Sequence, residues 1–90
     1  MSEQPPSLVI YSKRDCHLCE VAKGVVRPLC DAVGVRLEEI DITDSPELLA
    51  TYGEAVPVGY LNGEKVFKFR AHGRRVRRLL KKAVRAAHHD

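Results

Sequence analysis

The sequence is poor in aromatic residues, with no tryptophan, three tyrosines and two phenylalanines among its 90 residues. Single-stranded nucleic acids bind by stacking on exposed aromatic rings, so a stacking platform for them is not expected. No apolar run approaches the ~20 residues that a membrane-spanning helix needs. Residues 1–6 have neither the basic start nor the apolar stretch of an export signal. We therefore expect a cytoplasmic protein.

Cysteine is also scarce, with only three in the chain. A secreted domain held together by disulfides would carry more cysteines, in even number. Two of the three form the motif Cys16-His17-Leu18-Cys19, whereas Cys30 stands apart. In a reducing cytosol such a pair is redox-active, part of a metal site, or a chance pair of structural cysteines. Zinc usually takes four ligands, and the sequence has no second C-x-x-C and no H-x-x-x-H pair to supply them.

The length and composition, 44% hydrophobic and 30% charged, fit one compact domain. Residues 1–7 are mostly polar, contain two prolines and are expected to form a flexible leader, which leaves residues 8–87 as the domain. Hydrophobic periodicity in that part predicts the order β-α-β-α-β-β-α. The predicted strands are residues 8–11, 35–42, 58–61 and 65–69, and the predicted helices are residues 17–33, 46–52 and 74–87.

The first and second helices carry recognisable local signals. Apolar residues recur at helical spacing in the first helix, namely Leu18, Ala22, Val25, Leu29, Ala32 and Val33. Gly34 is a natural C-terminal stop for that helix. Pro28 lies inside it and predicts a kink or a break near residues 23–24, because proline removes a hydrogen bond and clashes with the preceding turn. Ser45 is expected to cap the second helix.

The connections between the elements predict a mixed sheet. A strand–helix–strand crossover makes the first two strands parallel. The dipeptide Asn62-Gly63 between two apolar runs predicts an antiparallel hairpin, because both central residues of a type I′ turn have positive φ. The result is an α/β fold with a four-stranded sheet and helices on its faces. Ferredoxin-like and other small sheets share this outline, so the order of elements alone names no function.

The two cysteines of the motif are placed for different chemical roles. Cys16 falls where the first loop meets the first helix, and Cys19 follows one turn later, within disulfide reach. The positive end of the helix dipole, with Lys13 and Arg14, favours the Cys16 thiolate, whereas Asp15 opposes it. Only a thiolate attacks a disulfide, so Cys16 is predicted to be the nucleophile. Cys19, further into the helix and more buried, would resolve the mixed disulfide.

Three further residues allow two interpretations each. His17 is either an exposed first-turn residue, which we favour, or a group that tunes the Cys16 thiolate. Cys30 is interpreted as a half-buried small hydrophobe, with glutathionylation or redox sensing as the alternative. Pro57, in Ala55-Val56-Pro57 before the third strand, is tolerated at a strand start, and spacing alone does not indicate a cis bond there.

Five stretches of the sequence carry a resemblance to a known family. They are residues 11–19 (Tyr-Ser-Lys-Arg-Asp-Cys-His-Leu-Cys), residues 41–46, Tyr52-Gly53, Val56-Pro57 and Asn62-Gly63. Together they resemble the glutaredoxin-like family of short bacterial thioredoxin-fold proteins, over residues 8–80.

That resemblance implies a thioredoxin/glutaredoxin-like fold with a particular set of site residues. It implies a nucleophile at Cys16, a resolving thiol at Cys19 and a cis peptide bond between Val56 and Pro57. It also implies that the backbone of Val56 pairs with a bound peptide or glutathione as an added strand. Lys13 matches the basic residue that meets a glutathione carboxylate.

The sequence departs from the glutaredoxin pattern where that family holds glutathione. His17-Leu18 stands in place of Pro-Tyr, and Ala55 stands in place of the threonine before Val-Pro. Phe67 and Lys68 occupy the place of a Gly-Gly pair, and two arginines follow where an acidic residue is usual. The resemblance therefore implies a thiol–disulfide oxidoreductase of cell redox homeostasis that uses glutathione poorly and acts on protein or low-molecular-weight disulfides.

The C-terminal end is strongly basic. Eight of the fifteen basic residues lie in residues 70–85, namely Arg70, Arg74, Arg75, Arg77, Arg78, Lys81, Lys82 and Arg85. The simplest interpretation is a solvated helix face. A nucleic acid, an anionic protein or an acidic low-molecular-weight thiol would be attracted by the same charge.

Two functions therefore stay open. The first is a dithiol–disulfide oxidoreductase or electron carrier, and the second is a non-catalytic binding module that uses the basic C-terminal helix for an anionic partner. A reversible Cys16–Cys19 disulfide would distinguish them. We expect a monomer that acts on protein or small-thiol disulfides, with neither a membrane nor a nucleic acid as partner. No metal and no cofactor are expected beyond glutathione or another low-molecular-weight thiol as reductant.

Overall fold

The computed structural model describes residues 5–87, which form a mixed four-stranded sheet flanked by helices. The elements are β1 (Ser7–Ser12), α1 (His17–Val33), β2 (Arg36–Asp41), α2 (Pro46–Tyr52), β3 (Val58–Leu61), β4 (Glu64–Lys68) and α3 (Gly73–Ala87). The strand order is β2-β1-β3-β4, with β2 parallel to β1 and both β1–β3 and β3–β4 antiparallel. The predicted α/β fold and its order of elements are confirmed. No helix within residues 5–87 is long and apolar enough to cross a membrane.

The start of the sheet lies slightly earlier than predicted. Residues 1–4 of the predicted leader lie outside the described residues, but Ser7 already belongs to β1. Pro6 is buried, and its carbonyl accepts a hydrogen bond from the Arg36 N–H at 3.1 Å. The parallel pairing with β2 therefore extends the ordered strand one residue before the predicted start at residue 8.

Local sequence signals account for the ends of several elements. The Ser45 hydroxyl accepts the Leu48 N–H at 3.2 Å, which confirms the predicted N-cap of α2. Gly34 ends α1 in the left-handed region, with φ of 85°. Asn62 and Gly63 have φ of 50° and 89°, as the predicted type I′ hairpin requires.

Of the kink or break predicted near residues 23–24, the break is wrong, because helix α1 runs without a break through Pro28. Pro28 and Gly24 are both exposed, so the Gly24 carbonyl that loses its helical partner faces water. A proline on the solvent face of a helix therefore leaves no buried polar group without a partner.

The core lies mainly on one face of the sheet. Along β1, Leu8 and Ile10 are fully buried, whereas Val9 and Tyr11 on the opposite face are only half-buried. The buried face packs against α1 and α3 in one apolar cluster, to which α1 contributes Ala22, Val26 and Cys30 and α3 contributes Val76 and Leu80. A second, smaller cluster joins the start of α1 to β2, α2 and the loop before β3. Cys19 belongs to this second cluster, and Cys16 packs against it.

Strands β3 and β4 contain an irregularity that changes which side chains reach the core. Their register shifts between Gly59 and Tyr60, and Val66 and Phe67, although consecutive, are both buried. The Phe67 ring lies against Gly59, where any side chain would collide with it. A β-bulge thus places two successive residues on the core face.

Candidate active site

Cys16 and Cys19 lie at the N-terminus of α1, where the structure joins them in a disulfide with their Cα atoms 5.2 Å apart. Cys16 is the N-cap residue, with extended backbone, and its Sγ accepts the Cys19 N–H at 3.2 Å. Asp15, just before it, has a positive φ of 56°, which aspartate tolerates better than most residues. A thiolate at Cys16 would occupy the same N-cap position, where helix N–H groups favour negative charge.

The two sulfur-bearing residues differ in burial, as predicted. Cys16 is half-buried, whereas Cys19 has no solvent-exposed surface. An external disulfide can therefore approach Cys16 but not Cys19. The roles of nucleophile and resolving thiol stay predictions, and this difference in access is the observation that supports them.

The charges around Cys16 differ from the expectation in one respect. Arg14 was expected to add positive charge near the thiolate, but its guanidinium pairs with Asp44 and with Asp41, at 3.4 Å. Asp41 has a lowered pKa because Thr43 donates hydrogen bonds to it, with Arg14 as a further cause. Two carboxylates thus balance Arg14. The helix N-terminus and the half-buried Lys13 are left as the nearby positive groups that the sequence identified.

The loop before β3 lies beside the cysteines. The Val56–Pro57 bond is cis, which confirms the expectation drawn from the resemblance. Val56 packs in one cluster with Cys19 and Ile42, and Cys16 borders that cluster. Among residues 5–87, neither the N–H nor the C=O of Val56 takes part in a backbone hydrogen bond. The main chain next to the cysteines therefore has a donor and an acceptor left for an added strand.

A cluster of three tyrosines joins the end of α2, which precedes this loop, to the sheet. The rings of Tyr11 in β1 and Tyr52 at the end of α2 are stacked, with centroids 4.2 Å apart and planes 17° apart. Tyr60 meets both rings edge-on, at 5.9 and 6.2 Å. Burial raises the pKa of Tyr11, and the hydrogen bond with Tyr52 adds to that shift. The stack fixes the end of α2 against the sheet, five residues before Pro57.

An apolar groove beside the cysteines was not found by sequence reasoning. It has a volume of about 460 Å³ and is lined by Leu18, Val21, Ala22, Val25, Phe69, Arg70 and Ala71. Leu18, Val21 and Phe69 are 52%, 49% and 43% exposed. Sequence periodicity placed Leu18 on the core face, whereas the buried stripe of α1 instead passes through Cys19 and Ala22. The apolar character of Val21, outside the predicted face, was the signal for this groove.

Phe67 and Lys68, which stand where glutaredoxins have a Gly-Gly pair, are not both on the surface as expected. Phe67 was expected to project where glutathione approaches, but its ring is 5% exposed and lies in the core against Gly59. Lys68 is exposed, with its Nζ 5.1 Å from the centroid of the Phe69 ring. The Phe69 N–H donates to the Pro57 carbonyl at 2.6 Å, which ties the groove to the loop containing Val56. Lys68 and Phe69, rather than Phe67, shape the surface here.

The exposure of His17 and Cys30 bears on the two interpretations left open for each of them. His17 is exposed, in agreement with the favoured interpretation. Cys30 is 1% exposed and is therefore more deeply buried than the predicted half-buried position. Within residues 5–87, no group of three or more histidine, cysteine or acidic residues is arranged to hold a metal ion.

Cys30 is expected to resist alkylation in the folded protein. Burial raises the pKa of its thiol to about 11, so almost none of it is thiolate at neutral pH. Iodoacetamide at pH 7.5 should label reduced Cys16 while leaving Cys30 unmodified until urea unfolds the chain. Mass spectrometry of peptides sampled over time measures both rates. Labelling of Cys30 as fast as Cys16 would instead support a sensor role.

Comparison with known proteins agrees with this geometry. The model of the Glutaredoxin-like domain family matches residues 7–81. Among solved structures, a point mutant of thioredoxin from Halobacterium salinarum is 22% identical, with 92% of this chain and 78% of that chain covered and a TM-score of 0.69. Ne2328 from Nitrosomonas europaea is 26% identical, with 84% and 92% covered and a TM-score of 0.66. XcR50 from X. campestris is 31% identical, with 84% and 94% covered and a TM-score of 0.64. The thioredoxin match concerns the fold alone.

Proposed function

This chain belongs to the glutaredoxin-like domain family, and we propose that it is a thiol–disulfide oxidoreductase whose reactive dithiol is Cys16 and Cys19. One observation carries the proposal. A half-buried sulfur caps a helix N-terminus and accepts a main-chain N–H from the fully buried second cysteine. That arrangement favours a thiolate at the accessible position and leaves the buried second thiol to resolve the mixed disulfide.

The proposed reaction proceeds in two exchange steps. The Cys16 thiolate attacks one sulfur of a substrate disulfide, forms a mixed disulfide and releases the other substrate sulfur as a thiolate. The Cys19 thiol then loses its proton and attacks Cys16 Sγ, which releases the second substrate thiol. The substrate gains two electrons and the protein ends with the Cys16–Cys19 disulfide. Two equivalents of glutathione or another low-molecular-weight thiol would return the protein to its dithiol form.

We propose that substrates pair with the main chain of Val56. Its N–H and C=O have no main-chain partners within residues 5–87, and its side chain packs against Cys19. Pro57 cannot donate a hydrogen bond and is fully buried, so it shapes this loop rather than competing for the substrate. Lys13 is proposed to attract a substrate carboxylate. An extended peptide or the backbone of a small thiol would both fit this mode of pairing.

The decisive test is the redox behaviour of the cysteine pair. A disulfide carrier in the cytoplasm, the compartment we propose, should have a reversible Cys16–Cys19 couple at about −200 to −300 mV. Equilibration with glutathione or dithiothreitol buffers, followed by alkylation and mass spectrometry, measures that potential. A non-catalytic binding module that uses the basic helix is the alternative, and it requires no reversible couple in this range.

Glutathione is expected to be a poor substrate and reductant. Lys13 would attract its negative charge, but residues 69–87 after β4 contain no acidic residue to hold its amine, and the exposed Lys68 takes the place of a glycine. Loss of a partner for a charged, partly desolvated group costs about 1–3 kcal/mol, a factor of roughly 5–150 in affinity. Glutathione-dependent reduction of a glutathione mixed disulfide should therefore be at least tenfold slower than with an ordinary dithiol glutaredoxin.

The matched control is a protein disulfide. With insulin as substrate and dithiothreitol as reductant, the two proteins should have similar rates, because that reaction does not need a glutathione site. Comparable glutathione-dependent turnover by both proteins, assayed side by side, would contradict the expectation. Failure with both substrates would count against the oxidoreductase itself.

A further inference from the structure

Helix α3 holds an unusual concentration of positive charge. It contains seven of the fifteen basic residues and no acidic residue. The rest of the chain contains the other eight basic residues and all twelve acidic ones. Five of the seven line one shallow depression of about 240 Å³, namely Arg74, Arg77, Arg78, Lys81 and Arg85. Their spacing puts them on one side of the helix. We call these five residues the basic stripe.

The basic stripe lacks the counter-charges that Arg14 and Arg27 have. Arg27 forms two hydrogen bonds to Glu39, at 2.7 and 2.8 Å, and Arg14 pairs with two aspartates. Within residues 5–87, no residue of the basic stripe forms an ion pair. Like charges three and four residues apart destabilise a helix. An anionic partner would relieve that repulsion.

The basic stripe continues the apolar groove that begins beside the cysteines. Arg70 lines the groove, and Arg74, four residues later in the first turn of α3, begins the basic stripe. At the junction, a Cβ on Gly73 would lie 3.8 Å from Val25, which also lines the groove. Leu18, which also lines the groove, is only two residues from Cys16. A path of apolar and then basic surface therefore leads from the cysteine pair along α3.

We propose that the substrate is a protein whose disulfide lies beside an apolar side chain and is followed by an acidic segment. The apolar side chain would occupy the groove, and the acidic segment would lie along the basic stripe. Four of the five residues of the basic stripe are arginines, whose planar guanidinium groups bind carboxylates through two hydrogen bonds. From Arg74 to Arg85 the helix rises about 16 Å, the length of roughly five extended residues.

This proposal rests on the proposed oxidoreductase function and favours a peptide over a nucleic acid. Single strands stack their bases on aromatic rings. The three tyrosines pack against one another, and Tyr11 and Tyr60 lie on the sheet face away from α3. The surface that adjoins the basic stripe is the apolar groove, which has one aromatic ring, Phe69, among aliphatic side chains and so suits a leucine-like side chain better than a run of stacked bases.

Two synthetic peptides test the proposal. Both contain the same intramolecular disulfide and an adjacent leucine, and they end in five glutamates or five lysines. At low ionic strength, kcat/KM should be at least roughly tenfold higher for the acidic peptide, and 0.5 M NaCl should remove most of the difference. The double variant Arg77→Glu/Lys81→Glu should lose the preference. Arg36→Glu/Lys65→Glu, with the same net charge on exposed strand positions, should keep it.

A binding measurement separates the failure of this proposal from the failure of the proposed function. Fluorescently labelled peptides with serine in place of both cysteines are titrated with the protein, alongside a single-stranded and a duplex oligonucleotide. Acidic-peptide binding that depends on Arg77 and Lys81, without reduction of the disulfide peptides, would retain the docking surface and reject the oxidoreductase. Equal reduction or equal binding of the two peptides, or tighter oligonucleotide binding at the basic stripe, would overturn the proposal.

Discussion

Replacement of Cys16 with serine should abolish thiol–disulfide exchange, with a loss of roughly a thousandfold or more, because a serine hydroxyl cannot supply the attacking thiolate. Cys16 is the accessible sulfur, and the fully buried Cys19 cannot take its place. Replacement of Cys19 with serine should instead leave the first attack intact and trap the mixed disulfide. The measurements are insulin reduction for both variants and intact-mass analysis of the trapped species.

Alkylation of the reduced wild-type protein is the independent check on this assignment. Cys16 should react with iodoacetamide at neutral pH well before Cys19 does, because access and the helix N-terminus both favour it. Faster alkylation of Cys19 would show that the assignment of roles is wrong. The variant Cys30→Ser provides the control, since a buried thiol outside the pair should leave the rate of exchange unchanged.

Substitution of Gly59 by alanine should produce a large loss of stability. A Cβ at that position would lie 2.6 and 2.8 Å from two atoms of the Phe67 ring, which is buried and has little room to move. Overpacking of this kind costs about 1–3 kcal/mol. In a domain of this size that corresponds to a fall in Tm of roughly 5–20 °C. Thermal and urea unfolding of the oxidised protein measure the loss.

Two further variants make this prediction specific. Gly24→Ala adds the same methyl group on the exposed side of α1, where nothing lies within 4 Å, and should stabilise the protein by up to about 1 kcal/mol. Phe67→Leu combined with Gly59→Ala should lower the free energy of unfolding by less than the sum of the two single changes, because the smaller leucine leaves room for the alanine methyl group. Additive losses would mean that Gly59 matters for a reason other than its contact with Phe67.

Much of the fold followed from short-range signals. Ser45 caps α2 through an N–H three residues away, and Asn62-Gly63 turns the chain within two residues. Such signals depend on neighbours in the chain, so they can be read without the tertiary structure. The break predicted from Pro28 does not occur, because the effect of a proline depends on which side of the helix it occupies. The apolar periodicity already left Pro28 off the core face, but the exposure of the Gly24 turn is known only from the structure.

The cysteine pair, its place at a helix N-terminus and the order of the elements were determined by the sequence alone, because each depends on residues a few positions apart. The tertiary structure decided the surroundings of the pair. It joined Arg14 to Asp41 and Asp44, placed Phe67 inside against Gly59, and left Leu18 and Phe69 exposed along one groove. These outcomes depend on contacts between residues far apart in the chain and on a one-residue register shift in the sheet. No local pattern specifies such contacts, since they form only when distant segments pack together.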